Sequence, residues 1–124
     1  MRTAVAIGVA GALGALARYG VGGLISRRNQ GAFPWETFVV NISGSFVLGF
    51  VFTAATERWA LAPWLRSGIT IGFIGAYTTF STFMLETYRL TEDRAHGLAF
   101  ANVVGSCVAG LVAVYLGVVL GRAV

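Results

Sequence analysis

The sequence predicts an all-α membrane protein with four transmembrane helices, of which the third is broken at its centre. Of the 124 residues, 56% are hydrophobic and 11% are charged, whereas soluble domains average about 25% charged residues. Four apolar segments each reach the roughly 20 residues that a spanning helix needs, and they lie at about 4–25, 36–56, 63–90 and 97–120. With short loops they use the whole chain, so we interpret residues 1–124 as a single four-span membrane domain.

The charged residues exclude several other classes of protein. All nine basic residues are Arg and the net charge is +4, but the arginines are scattered at segment ends. A nucleic-acid partner requires clustered charge, whereas this distribution is typical of loops that face lipid headgroups. The single Cys107 permits no disulfide within one chain, and His96 has no companion at metal-ligand spacing. We therefore predict a multi-pass protein of the cell (inner or plasma) membrane with no nucleic-acid partner.

The first segment is rich in small residues three and four positions apart, which let helix backbones approach closely in lipid: Gly8, Gly11, Ala12, Gly14, Ala15 and Gly22. It begins with Arg2 and an apolar run, as a signal peptide does, but the run continues past Arg18 to Ile25 and three more apolar segments follow. We therefore interpret it as the first span. Arg18 has two interpretations, because it can snorkel to the headgroups or place a charge in an aqueous vestibule that attracts anions.

Two Pro-Trp pairs mark the starts of the next two helices. Pro34-Trp35 opens the second segment and Pro63-Trp64 opens the third, since Pro fits a first helical turn and Trp favours the membrane interface. One face of the second segment carries Thr37, Asn41, Gly44, Ser45 and Leu48. Asn41 needs a partner at membrane depth, and it acts either as interhelical glue or as part of a polar path.

The third segment contains the stretch on which the fold prediction depends. Its centre reads Gly72-Phe73-Ile74-Gly75-Ala76-Tyr77-Thr78-Thr79-Phe80-Ser81-Thr82-Phe83, and β-branched Thr and flexible Gly are poor material for a continuous helix. Freed backbone groups at membrane depth persist only when they are buried in protein or line a wet cavity. We therefore predict a break near Gly75 to Thr79. Phe80 and Phe83 then share one face of the second half, and Glu86 lies one turn further along.

The fourth segment carries a polar-to-small stripe, because Asn102, Ser106 and Gly110 recur every four residues. The stripe is either a close-packed helix face or an extension of the polar path, through Ser106 and in the second place Asn102.

The number of arginines on each side of the membrane predicts how the chain is oriented. With four spans both termini share a side with Arg2, Arg58, Arg66 and Arg122, and the other side holds Arg27, Arg28, Arg89 and Arg94. Four against four gives no positive-inside bias, which normally sets orientation. Such a chain can insert both ways, and two opposed copies can then pair about a two-fold axis in the membrane plane, as in an inverted repeat.

These motifs resemble one family over nearly the whole chain. Gly-x-x-Gly-x-x-Thr-Thr-Phe-Ser-Thr-Phe followed by Glu86 is similar to the third helix of the Fluc (CrcB) fluoride channels. Gly-Ala-Leu-Ala-Arg-Tyr at 14–19 resembles the family's first helix, and Thr-x-x-x-Asn-x-x-Gly-Ser from Thr37 resembles its second. Gly110 departs from the family, which has a polar residue there. The family forms antiparallel homodimers, in agreement with the arginine count.

The resemblance implies the roles of individual residues. The fluoride path would be lined edge-on by the rings of Phe80 and Phe83. Its polar contacts would come from five residues: Thr37, Asn41, Thr79, Glu86 and Ser106. Arg18 would be the vestibule charge. The backbone carbonyls of Gly75 and Thr78 would hold a structural sodium ion (Na+) at the dimer axis.

The leading hypothesis is a passive, fluoride-selective channel that exports cytoplasmic fluoride and so lowers its toxicity. The main alternative is a proton-coupled small multidrug exporter, but those proteins resemble one another in a membrane Glu in the first helix, where this chain has Arg18. A non-transporting assembly subunit would leave the Asn, Thr and Ser residues at membrane depth without a purpose. No nucleophile–base pair points to an enzyme.

Overall fold

A computed structural model describes all 124 residues as an α-helical chain without strands. The helices are α1 Arg2–Ser26, α2 Trp35–Glu57, α3 Pro63–Ser67, α4 Gly75–Tyr77, α5 Phe80–Glu92 and α6 His96–Ala123, with a π-helical segment Gly68–Ile74 between α3 and α4. Four helical stretches are long and apolar enough to cross a membrane: Arg2–Ser26, Trp35–Glu57, Pro63–Glu92 and His96–Ala123. The predicted all-α fold with four membrane helices is therefore confirmed.

The two prolines begin helices as the sequence indicated. Pro63 is the first residue of α3 and Pro34 immediately precedes α2. Around Pro34 the rings of Phe33, Trp35 and Phe38 pack together, with centroids 4.7 to 5.8 Å apart. This aromatic cluster fixes the angle at which the loop enters the second span.

Glycine lets the helices approach until their backbones touch. A β-carbon at Gly14 would collide with the carbonyl of Phe73, and one at Gly72 would lie 2.7 Å from the carbonyl of Ile7. On the other side of the molecule, a β-carbon at Gly49 would lie 2.5 Å from the carbonyl of Val114. The chain thus forms two tight pairs, α1 with the first half of the third span and α2 with α6. Gly8, in contrast, faces open space.

The third span is broken at its centre, as predicted. Thr78 (φ −82°, ψ 159°) and Thr79 (φ −151°, ψ 113°) are extended and separate α4 from α5. The break lies at the end of the predicted window, and Gly75 itself is still helical.

The wide turns of the π-helical segment Gly68–Ile74 were not predicted. They coincide with close packing on α1, where a β-carbon at Gly68 would lie 3.2 Å from that of Ala6. Short π segments inside α-helices are often found at functional sites. Here the segment leads directly into the break.

The break lets the two halves of the third span pack on different helices. Residues 63–77 lie against α1, while α5 lies mainly against α6. The extended residues Thr78 and Thr79 are therefore placed where α1 and α2 both reach them.

Candidate functional site

The backbone of Thr79 is bound on both sides by one side chain from α2. The Thr79 amide donates to Asn41 Oδ1 at 2.8 Å, and Asn41 Nδ2 donates to the Thr79 carbonyl at 3.0 Å. The amide and the carbonyl of Thr79 are thus both satisfied without water, as membrane depth requires. Asn41 forms an interhelical hydrogen bond and also lines a cavity. Its two interpretations from the sequence, interhelical glue and part of a polar path, are therefore compatible.

The neighbouring carbonyl is bound from α1. Arg18 Nη1 donates to the Thr78 carbonyl at 3.2 Å, and the Arg18 side chain is half-buried. The guanidinium therefore reaches inward to the break, although a headgroup contact was one of its two interpretations. It brings a full positive charge next to the extended residues.

Two further contacts hold the break to α2. The hydroxyl of Tyr77 lies 2.9 Å from Ser43 Oγ. A methyl of Thr78 packs directly onto Gly44, where a β-carbon has no room. Sequence reasoning missed Ser43 and Tyr77, because it could not pair a hydroxyl in α2 with one in the third span.

Two polar cavities flank the break. The first has a volume of about 280 Å³ and contains three of the predicted path residues, together with both residues whose carbonyls were predicted to bind sodium. Its lining is Asn41, Gly44, Ser45, Leu48, Thr70, Ile74, Gly75, Thr78, Thr79 and Phe80. Thr70 was not singled out from the sequence. Its hydroxyl donates to the Arg66 carbonyl at 2.9 Å. Its place in the cavity lining depends on the packing of the π-helical segment.

The second cavity, also of about 280 Å³, lies between α1, α2 and the start of α5. It is lined by Ala15, Arg18, Tyr19, Glu36, Thr37, Val40, Thr79 and Thr82. Thr79 caps α5 by accepting from the Thr82 amide at 3.3 Å, and the N-terminus of a helix carries a partial positive charge. Arg18 and this helix start make their end of the cavity electropositive, while Glu36 adds a carboxylate to the same lining.

Phe80 and Phe83 lie side by side but in different environments. Their ring centroids are 5.9 Å apart and the rings are tilted by 57°. Phe83 is 6% exposed, whereas Phe80 is 73% exposed and projects from the surface of the single chain. The Phe83 ring is thus packed within the chain, whereas the Phe80 ring lies on its surface.

Glu86 and Thr37 meet one turn beyond Phe83. The Thr37 hydroxyl donates to Glu86 Oε1 at 2.8 Å, while Glu86 Oε2 is buried without a hydrogen-bond partner. The structure thus brings these two predicted path residues into one polar contact.

Ser106 lies apart from both cavities. Its hydroxyl is 3.4 Å from Asn102 Oδ1, and Asn102 Nδ2 donates to Thr87 Oγ1 at 2.9 Å. Asn102 is 1% exposed, so it joins α6 to α5 as interhelical glue. Within one chain, Ser106 therefore lies apart from the other predicted path residues, which are grouped at the break and along α2 and α5.

The backbone of the break has the oxygen atoms that a hard cation prefers. The Thr79 amide would close a helical turn onto the Gly75 carbonyl, but it donates to Asn41 instead. Gly75 lines the first cavity and is exposed. The Thr78 carbonyl accepts from Arg18 and keeps a second lone pair. No three His, Cys, Asp or Glu side chains come together as a metal site.

Four apolar spans, a polar break at membrane depth and flanking cavities define a small multi-pass membrane protein built around a hydrophilic centre. A family model described as "CrcB-like protein, Camphor Resistance (CrcB)" matches residues 5–118, and the chain belongs to that family. It is a multi-pass protein of the cell membrane.

Similar proteins cover the full length. A fluoride-specific ion channel FluC of Geobacter sp. (strain M21) is 45% identical over 123 residues, or 99% of each chain. The protein of the same name from Nitratidesulfovibrio vulgaris (strain DSM 19637 / Miyazaki F) is 46% identical over 125 residues, covering 100% of both. That from Geotalea uraniireducens (strain Rf4) is 44% identical over 123 residues.

Proposed function

We propose that this protein is a passive, fluoride-selective channel that lets cytoplasmic fluoride leave the cell. The observation that carries the proposal is the pair of polar cavities on either side of the Thr78–Thr79 break, the first of which is lined by Phe80. The full-length relatives bear the name of a fluoride-specific ion channel. The activity is therefore transport and not catalysis.

The lining suits a small, strongly hydrated anion. Such an ion enters only if donors replace its water, and aromatic rings offer a positive edge. The second N–H of Asn41 and the start of α5 supply further donors. The hydroxyls of Thr37 and Thr79 donate to Glu86 and Thr82 in the single chain, so each would have to turn towards the ion in order to contact it. Arg18 adds a positive charge at the second cavity. Ser106 and Glu86 complete the proposed polar contacts, Ser106 from its separate position on α6.

A passive leak is sufficient for export. Hydrogen fluoride is a weak acid that crosses membranes uncharged and dissociates inside. An interior-negative potential then favours exit of the anion by about 2.3 kcal/mol per 100 mV. A proton-coupled drug exporter would need the membrane Glu in the first helix that its relatives share, and α1 carries Arg18 instead.

The channel unit that we propose is an antiparallel homodimer. The first cavity and the exposed ring of Phe80 lie at the surface of one chain. Polar backbone and hydroxyl groups facing lipid would be costly, so a second protein surface must cover them. The balanced arginines allow a second copy of opposite orientation to do so.

We also propose a structural sodium ion on the dimer axis. The carbonyls of Gly75 and Thr78, contributed by both copies, would provide four oxygen ligands. The exposure of Gly75 in the single chain and the diversion of the Thr79 amide to Asn41 support this placement.

Liposomes reconstituted with the pure protein test the function. We expect rapid fluoride efflux once a potassium ionophore clamps the voltage, and little chloride efflux from matched vesicles. Protein-free liposomes give the background rate. Fluoride efflux at that background rate, or chloride efflux as fast as fluoride, would reject the proposal.

Insertion in both orientations is expected from the four-against-four distribution of loop arginines. Two reporters fused to Val124, one active in the cytoplasm and one active outside, should both give signal at comparable levels. Adding two arginines to the loop between α2 and α3 should bias the distribution, which provides a control for the assay. A single strongly favoured side in the unmodified chain would point to a partner of different sequence.

A further inference from the structure

We propose that Asn41 is a positioning residue that holds the break in its extended conformation and thereby orients the Phe80 ring; the inference rests on the proposed function. Asn41 belongs to the lining of the first cavity. Its two hydrogen bonds within the chain, however, are both made with the backbone of Thr79. The donor that it presents to an ion is the N–H that remains after these bonds are made.

The geometry is that of a short piece of β-ladder. Residues paired in an antiparallel sheet exchange an N–H···O bond in each direction, and the Asn41 amide does the same with Thr79. The amide of Thr79 donates at 2.8 Å and its carbonyl accepts at 3.0 Å. An amide side chain is the neutral group that offers one donor and one acceptor side by side.

Thr79 has no substitute for these bonds. Its own hydroxyl is used by α5, because it accepts from the Thr82 amide at 3.3 Å and donates to Thr82 Oγ1 at 3.0 Å. The neighbouring carbonyl of Thr78 is bound by Arg18. Without Asn41, the peptide groups of Thr79 would be left unpaired at membrane depth, and the local backbone would rearrange.

The consequence falls more on Phe80 than on Phe83. Phe80 directly follows Thr79 and is 73% exposed, so in a single chain its direction is set by its backbone. Phe83 is 6% exposed and is held by surrounding side chains. Loss of the Asn41 bonds should therefore move the first ring and leave the second in place.

Amide exchange on the reconstituted full-length protein tests the inference. In Asn41→Ala we expect the Thr79 amide to exchange at least ten-fold faster than in the parent protein. In Asn41→Asp, which has the same shape and keeps an acceptor for that amide, slow exchange should be retained. Thr56→Ala is the matched control, because Thr56 is a hydroxyl residue of α2 that bonds only to its own helix.

Fluorine NMR gives a second readout. With 4-fluorophenylalanine at position 80, the resonance should shift or broaden in Asn41→Ala. The same label at position 83, whose ring centroid lies 5.9 Å from that of Phe80, should change clearly less. Unchanged Thr79 exchange in Asn41→Ala, or equal changes at both rings, would overturn the positioning role.

A third measurement needs no variant, in case Asn41→Ala fails to fold. Solid-state NMR on the parent protein should place Asn41 15Nδ2 about 4 Å from the Thr79 carbonyl carbon. A separation above about 6 Å, beyond hydrogen-bond reach, would overturn the proposal. None of the three readouts depends on fluoride flux. If the parent protein passes no fluoride while they hold, the proposed function fails and the positioning role stands.

Discussion

Replacing Phe80 or Phe83 with Ile should lower fluoride efflux by about a hundred-fold or more while the protein still folds and assembles. Volume-conserving apolar exchanges usually cost less than about 1.5 kcal/mol of stability, so the folded protein survives. Ile has no polarised edge, so an anion passing it loses a favourable contact. A hundred-fold loss in rate corresponds to about 2.7 kcal/mol at the barrier.

The chain offers a matched control for this experiment. Phe100 is 71% exposed, almost the same as Phe80, but it lies outside both cavities. Phe100→Ile removes a ring of equal exposure and should conduct at the parent rate. Because Phe83 is buried, efflux and dimer content are measured on the same preparations, so that a folding defect is recognised. Parent-rate efflux from both Phe80→Ile and Phe83→Ile would mean that the rings serve packing only.

Gly75→Val should abolish fluoride efflux through loss of assembly and not through misfolding of the single chain. A β-carbon at Gly75 would lie 3.7 Å from the Thr70 carbonyl, an ordinary contact, so one chain tolerates the side chain. Gly75 is exposed beside the first cavity, where the proposed second copy and sodium ion would be crowded. We expect helical content close to the parent's by circular dichroism, loss of the dimer on size exclusion, and efflux at background.

Thr78→Ser provides the comparison, since it keeps the backbone carbonyl and the hydroxyl that donates to the Ile74 carbonyl at 3.0 Å. Its effect on efflux should be several-fold at most. A Gly75→Val protein that dimerises fully and conducts at the parent rate would contradict the placement of Gly75 at the dimer axis.

The sequence was sufficient for the features that depend on local composition. The four spans follow from apolar length, the starts of α2 and α3 from Pro34 and Pro63, and the broken third helix from its cluster of Gly and Thr. Each of these depends on residues close together in the chain, and the family motifs pointed to the same segments.

The features that sequence reasoning missed depend on contacts between distant segments. The break was predicted for the window from Gly75 to Thr79, but narrowing it to Thr78 and Thr79 requires the bonds from Asn41 and Arg18, which lie 38 and 60 residues away in sequence. The wide turns of Gly68–Ile74 depend on how closely α1 approaches. The separation of Ser106 from both cavities depends on the packing of α6 against α5, which a four-residue periodicity does not specify.

The donors that satisfy the break also impose an order on synthesis. Arg18 and Asn41 both precede the third span in the chain, so they leave the ribosome before residues 63–92. An isolated third span would carry unpaired peptide groups into lipid, where each is costly. The extended residues can therefore reach their final conformation only after α1 and α2 have packed beside them. Synthesis from the N- to the C-terminus produces α1, α2 and the third span in this order.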